Sequence, residues 1–379
     1  MKKWVSTLAL GTIASAANAQ SSVTLYGTVD DGLQYVSRSG AHDLFNTQNG
    51  ALGSSKWGLT GAEDIGSGTK IIFKLEAGFD PNSGKATASG YEFNRQAYVG
   101  AEGAFGTAKL GRQYDLSYLE GVGRLAAPVR VAGGLGTHAG DIDDLFGTIN
   151  FFNAASYITP DLGGFRVGGL YSLGGVAGAF SARQAFNIIG TFTRGPVSFA
   201  AGITRINNPA TSVWGGAADP VANTAFANPL TNPISSGYAS AHSVQIIDAA
   251  GSYKFGPMSF GLVATQVNYQ NVVRTTTTPF SGTAIFRTGE VNANYFVTPS
   301  LNLGIAASFT RSDTAHYTQL DWGPKYLLSK RTLFYAVGAW QRASGTNSIG
   351  KRAVADISSL TASNTPNQVA VRVGIRHDF

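Results

Sequence analysis

Along most of this chain apolar and polar residues alternate with a period of two. From Val369 to Phe379 the odd positions are mostly Val, Ile and Phe, while the even ones are Ala, Arg, Gly, Arg and Asp. From Lys70 to Phe79, Ile71, Phe73, Leu75, Ala77 and Phe79 share one phase, and Lys70, Lys74 and Glu76 the other. From Leu301 to Phe309 the odd residues are again apolar, against Asn302, Gly304, Ala306, Ser308 and Thr310. A period of two belongs to β-strands, whose successive side chains leave opposite faces. Soluble sandwich strands alternate too, but repetition with small and charged residues on the polar face favours a water-filled interior.

Such segments occur near 23-36, 55-63, 69-79, 93-103, 106-114, 153-160, 164-174, 184-194, 196-207, 243-255, 258-270, 285-297, 300-311, 316-329, 332-343 and 368-379, sixteen in all. An even number suits a single-chain bacterial barrel. Tight turns at Asp161 to Gly164, Arg194 to Pro196, Phe255 to Pro257, Thr298 to Ser300 and Ser329 to Arg331 alternate with long stretches at 115-152, 208-242, 271-284 and 344-367. Short turns belong on the periplasmic side and long loops outside. Pro324 cannot donate to a ladder, so Gly323-Pro324 predicts a bulge or kink. Asp31 has the phase of Leu25 and Val29 and therefore points outward, which suits a subunit interface or the headgroup level.

Composition narrows the class. With 13% charged residues, 11% aromatics, 48 glycines and a mean hydropathy of +0.01, the chain has too few charges for an ordinary soluble surface. After the first residues it also lacks the run of about 18 apolar residues that a membrane helix needs. The remaining way to cross a bilayer is a closed all-β barrel, in which every backbone group finds a partner. Residues 1-19 read as a leader: Lys2 and Lys3, an apolar stretch from Val5, then Ala17-Asn18-Ala19. Residues 20-379 then form one domain, closed by pairing of the first and last strands. Removing Lys2 and Lys3 takes the net charge from +6 to +4, too small to point to nucleic acid. There is no cysteine, hence no disulfide framework. Trp57, Tyr98, Tyr157, Tyr171, Phe192, Tyr253, Tyr295, Tyr326 and Trp340, near segment ends, suit interfacial aromatic girdles.

Catalysis and cofactors find no support. His42, His138, His242, His316 and His377 are scattered, none in a metal-ligand pattern such as H-E-x-x-H, and no G-x-S-x-G elbow accompanies them. We expect neither an enzyme nor a resident metal or cofactor.

Ser21 to Tyr35 (SSVTLYGTVDDGLQY), Ser55 to Asp80 (SKWGLTGAEDIGSGTKIIFKLEAGFD), Phe93 to Gly100 (FNRQAYVG), Phe105 to Asp115 (FGTAKLGRQYD), Leu327 to Thr332 (LLSKRT) and the terminal VRVGIRHDF resemble the general porins of β-proteobacteria such as Burkholderia, Bordetella and Neisseria. The resemblance implies a sixteen-stranded antiparallel transmembrane β-barrel in the bacterial outer membrane, assembled as a homotrimer among lipid and lipopolysaccharide. It also implies a loop, here about 115-152, that folds into the lumen and narrows it opposite a basic wall. Such a channel passes ions and small hydrophilic solutes. Phe379 resembles the signal read by the barrel-assembly machinery. A substrate-specific channel or a non-conducting adhesive barrel is the alternative.

Parity selects Lys56, Lys74 and Arg372 as water-facing cations of that wall. Arg95 and Arg112 are carried over from the family patterns, although Arg112 shares phase with Leu110. The loop offers Asp115, Glu120, Asp141, Asp143 and Asp144 against Arg124 and Arg130, a net charge of three negatives. These carboxylates either form an acidic rim, making a transverse field that weakly favours anions, or pair with loop backbone or a divalent cation. Where relatives often place a further Arg after the loop, this chain reads Ile149-Asn150-Phe151-Phe152, which weakens any anion preference inferred from them.

Overall fold

The computed structural model describes residues 22–379; the leader assigned to 1-19 lies outside the described residues. Eighteen strand segments form one sheet. It closes because Ser22–Ser39 (β1) pairs antiparallel with Asn367–Asp378 (β18), from Thr28 opposite Asp378 to Val36 opposite Ala370. His42–Asn49 (β2) and Lys56–Gly66 (β3) pair with the two halves of β1 and are one interrupted barrel strand. Ala315–Trp322 (β15) and Lys325–Leu327 (β16) likewise share both neighbours, Leu301–Arg311 (β14) and Thr332–Gly345 (β17). Joining each broken pair reduces eighteen segments to sixteen barrel strands.

The second break falls at Gly323-Pro324, as Pro324 requires. The first, over 50–55, and the strand before it were not legible: His42–Asn49 sets Leu44 beside Phe45 and shows no alternation. Pairing with β1 holds it instead. The break is organised by buried Asp30, whose carboxylate accepts the N–H groups of Ala51 (3.2 Å), Leu52 (2.9 Å) and Gly53 (3.2 Å) and the Tyr335 hydroxyl (2.7 Å).

The faces are reversed relative to a soluble barrel. In Gly282–Phe296 (β13), Thr288, Glu290, Asn292 and Asn294 are buried inside, while Val291 is 54% exposed on the outer wall. Trp57, Tyr157, Tyr253, Tyr295 and Tyr326 are exposed outside; Tyr98 instead faces the lumen, paired opposite Lys74 with the Lys109 ammonium 5.0 Å from its ring. Asp31 accepts a 3.0 Å hydrogen bond from Asn82 of the loop over 79–95, which gives the outward carboxylate a polar partner. At closure, Gly27 and Phe379 exchange both backbone hydrogen bonds (3.1 and 3.0 Å).

Candidate pore site

The connection from Gly106–Tyr114 (β6) to Asn150–Ile158 (β7) is a 35-residue run, 115–149, of short helical turns that lies inside the barrel. Its acids tie it down. Buried Asp115 caps the turn Leu116–Leu119 through the Ser117 N–H (2.5 Å) and accepts the Thr204 hydroxyl (2.8 Å). Buried Asp143 accepts from Thr265 (2.8 Å) and faces Nδ1 of His138 at 2.7 Å; Nε2 of His138 lies 2.8 Å from Glu290. Glu290 also takes the Ala127 N–H on both oxygens, at 3.0 and 3.1 Å. Gln319 donates to the carbonyls of Leu135 and Thr137, each at 3.0 Å. Farther along, Gly134 donates to Ala51 (2.8 Å) in the interrupted strand, so the loop spans the barrel interior.

This seam decides the charge that the loop shows to water. Burial pushes the Asp115 carboxyl up to about 6, against the Thr204 and Ser117 hydrogen bonds. Burial raises Asp144, and Asp141 adds to it; Asp141 is raised by burial and by Asp143. Burial alone would raise Asp143 and lower His138, but their mutual attraction reverses both shifts, so the pair is ionised. Glu120, nearer water, pairs with Arg166 at 3.1 Å. The loop acids therefore hold the loop from beneath or are matched by a cation, while exposed Arg124 faces the lumen.

Across the gap the wall is basic. In Thr69–Gly78 (β4), Glu76 is fully buried and serves as a hub: Lys56 lies at 3.5 Å, Lys74 at 3.7 Å and Arg95 at 3.0 Å, and Tyr26 donates at 2.8 Å. Three cations on one carboxylate leave two positive charges. Arg376, inward on β18, stands beside Asp378 at 3.0 Å. Lys56, Arg95 and Arg376 from the wall, with Tyr118 and Arg124 from the loop, line one open cavity of about 240 Å³. Arg124 and Arg376 were absent from the sequence-derived wall, although Arg376 shares the parity of Arg372.

Two expected wall residues stand elsewhere. Arg372 points inward but is buried against Gln34. Arg112 pairs opposite Ala97 on the outer face, 4.4 Å from the Phe152 ring centre and 4.9 Å from that of Tyr91, with its Nε on the Asn94 carbonyl (2.9 Å). Parity with Leu110 places it correctly where the family pattern does not. Phe151, at the site of the absent cation, is buried with Leu116, Ile189 and Ile206 and seats the start of the loop. His138 has both ring nitrogens occupied by carboxylates and is 1% exposed, leaving no open face for a substrate.

A family model described as Gram-negative porin matches residues 6–346. The outer membrane porin protein 32 of Delftia acidovorans is 28% identical over 398 residues, covering all of both chains. Among solved structures, an anion-selective porin from Comamonas acidovorans superposes with a TM-score of 0.72 at 22% identity, over 95% of this chain and 100% of that one. The trimer form of OmpT from Vibrio cholerae reaches 0.61 at 14% identity, over 95% and 99%. With a closed sixteen-strand barrel, a loop across its interior and a match over most of its length, this chain belongs to the Gram-negative porin family.

Proposed function

We propose that this outer-membrane diffusion channel, a passive pore and not an enzyme, is narrowed by the 115–149 loop and passes small hydrophilic solutes with a preference for anions. One observation carries the preference: cations from both sides, Lys56, Arg95 and Arg376 on the wall and Arg124 on the loop, face the same cavity. Charges across a narrow aqueous gap are poorly screened compared with those on an open surface. The field is then positive from both sides, rather than running from a basic wall to an acidic rim. Lys74 contributes beside Glu76, Arg372 lies behind the wall, and Arg112 acts outside the lumen. Asp115, Asp141, Asp143 and Asp144 hold the loop in place, with Glu120 matched by Arg166.

The anion selectivity of the porin from Comamonas acidovorans supports this reading, and the OmpT trimer supports assembly as a homotrimer. Residues 1-19 act as the export signal, residues 20-379 form the barrel domain, and Phe379 addresses it to the assembly machinery. Reconstitution in planar bilayers tests the reading. The expected result is stepwise single-channel currents that rise with salt concentration and a reversal potential of anion sign in a KCl gradient. A barrel that never conducts would overturn the pore, and a reversal potential of cation sign would overturn the preference.

A further inference from the structure

Half way round the barrel from the basic wall, the lumen holds a second cavity. Strand pairing runs from β1 through β3 and β4 to Val197–Asn207 (β10), the eighth barrel strand on, which therefore stands on the opposite wall. Here the 115–149 loop meets the 208–242 loop over β10, Ser243–Phe255 (β11) and Met258–Val272 (β12), leaving a space of about 240 Å³. It shares no lining residue with the basic cavity. Ile206, Ile246 and Tyr269, each at most 3% exposed, form its floor. Asp141, Thr148, Trp214 and Asn232 stand around it, half-buried or exposed. The 208–242 loop is one of the long ones, so the cavity lies on the external side of the constriction.

The groups around this cavity are fixed in place yet keep binding capacity to spare. Trp214 donates its backbone N–H to the Pro209 carbonyl (3.0 Å), and its ring lies 6.1 Å from that of Tyr269, tilted by 34°. That sets the partly open indole as one wall. Asn232 Oδ1 accepts from the Ser235 N–H (2.9 Å) and hydroxyl (3.0 Å), while its NH2 group has no partner among the described residues. Asp141 Oδ2 accepts the Thr148 hydroxyl (2.7 Å), while its Oδ1 is buried with no partner among the described residues. A buried acceptor left unpaired is uncommon and costs free energy. Burial and Asp143 raise the Asp141 carboxyl to about 7, so near neutral pH it suits a hydroxyl better than an ammonium ion.

We propose that this cavity is a binding site for a neutral hexose, with the sugar ring laid on Trp214 and its hydroxyls on Asp141 and Asn232. A pyranose has an apolar C–H face and a rim of hydroxyls, which matches an indole wall with a carboxyl and an amide beside it. At ~30 Å³ per water in the liquid, the space holds the volume of roughly eight waters, room for one sugar ring and not two. Anions entering the pore are drawn to the cations on the far wall. A neutral solute is not, and this site retains it next to the constriction. The proposal goes beyond the anion preference and does not depend on it.

The test uses the full chain in detergent, titrated with D-glucose, with sorbitol, which has the hydroxyls but no ring, and with phenol, which has a flat ring and one hydroxyl. Binding is read by saturation-transfer difference NMR. Glucose should bind the wild type with a Kd on the order of millimolar, and sorbitol and phenol about tenfold more weakly. W214L, which keeps apolar bulk against Tyr269 but removes the flat ring, should weaken glucose about tenfold, and N232A about fivefold. Both variants should conduct like the wild type in planar bilayers without sugar. The binding arm needs no current, so failure of this site and failure of the pore reading are told apart. Should W214L fold poorly, N232A and the sorbitol arm decide the matter. Glucose binding no tighter than sorbitol, phenol binding as tightly as glucose, or undiminished glucose binding in W214L and N232A would overturn the proposal, the second by assigning the cavity to aromatic solutes.

Discussion

Replacing His138 with alanine tests the loop seam at its centre. The imidazole sits between Asp143 (2.7 Å) and Glu290 (2.8 Å), all three buried. Removing one partner from a buried ionic cluster costs about 3–5 kcal/mol, because the remaining carboxylates face each other without the cation. Thr265, Ala127 and Asn292 still donate to them, so the lower part of that range is the better expectation. The single ring of strand pairing that closes the barrel does not pass through His138, so the cost falls on docking of the loop and the barrel stays closed. A change of about 3 kcal/mol shifts the docked-to-undocked ratio roughly 150-fold. H138A should show frequent sub-millisecond current fluctuations and faster proteolytic cutting within 115–149, with H138Q in between. The pH dependence has a defined sign. His138 is raised by its acidic neighbours against burial, so its contribution is complete below about 6.5 and is lost as pH rises through its higher folded value. Asp115, raised to about 6 by burial, adds a loss in the same direction. Asp143 is lowered against burial by His138, so its contribution is lost only as pH falls through that lowered value. The wild-type pore should therefore grow noisier as pH rises, with a first step through about 6 from Asp115 and a further step at higher pH as His138 loses its proton. H138A currents and cutting rates equal to wild type at every pH would refute the reasoning.

Glu76 is the one carboxylate among Lys56, Lys74 and Arg95, so E76Q should raise anion selectivity, read as a larger reversal potential, and loosen the three cations enough to lower the melting temperature of the folded barrel. Gly133 has φ +60, and a Cβ there would lie 1.7 Å from the Ala51 carbonyl oxygen; G133A should detach the loop tip, increasing single-channel conductance while leaving the β-sheet circular dichroism of the closed barrel unchanged.

Much of the fold was legible because a barrel wall has only two environments. Strands facing lipid on one side and water on the other write their period directly into the chain, and Val369 to Phe379 shows it cleanly. His42–Asn49 escaped because it lies at the outer end, where neither face requires an apolar row; its partner strand and Asp30 impose the geometry. Lys56 and Lys74 were legible from parity alone. The acids of the loop were found with two roles left open, and the pairing with loop backbone is what Asp115 and Asp144 do; the sequence could not choose, since burial of Asp143 and Asp144 is decided by where an irregular segment docks, and that depends on Glu290, Thr265 and Gln319, well over 100 residues away. Arg124 was counted as a loop charge without a direction for the same reason. Arg112 shows the opposite case: its phase with Leu110 was a sound guide, and the borrowed pattern was not.

The most direct measurement is the reversal potential of a single reconstituted pore in a tenfold KCl gradient, for the wild type, for K56A/R95A and for R124A. A cavity lined by cations on both sides predicts anion selectivity in the wild type and a clear shift toward zero in each variant, including the loop variant. An unchanged potential in K56A/R95A and in R124A would contradict the account.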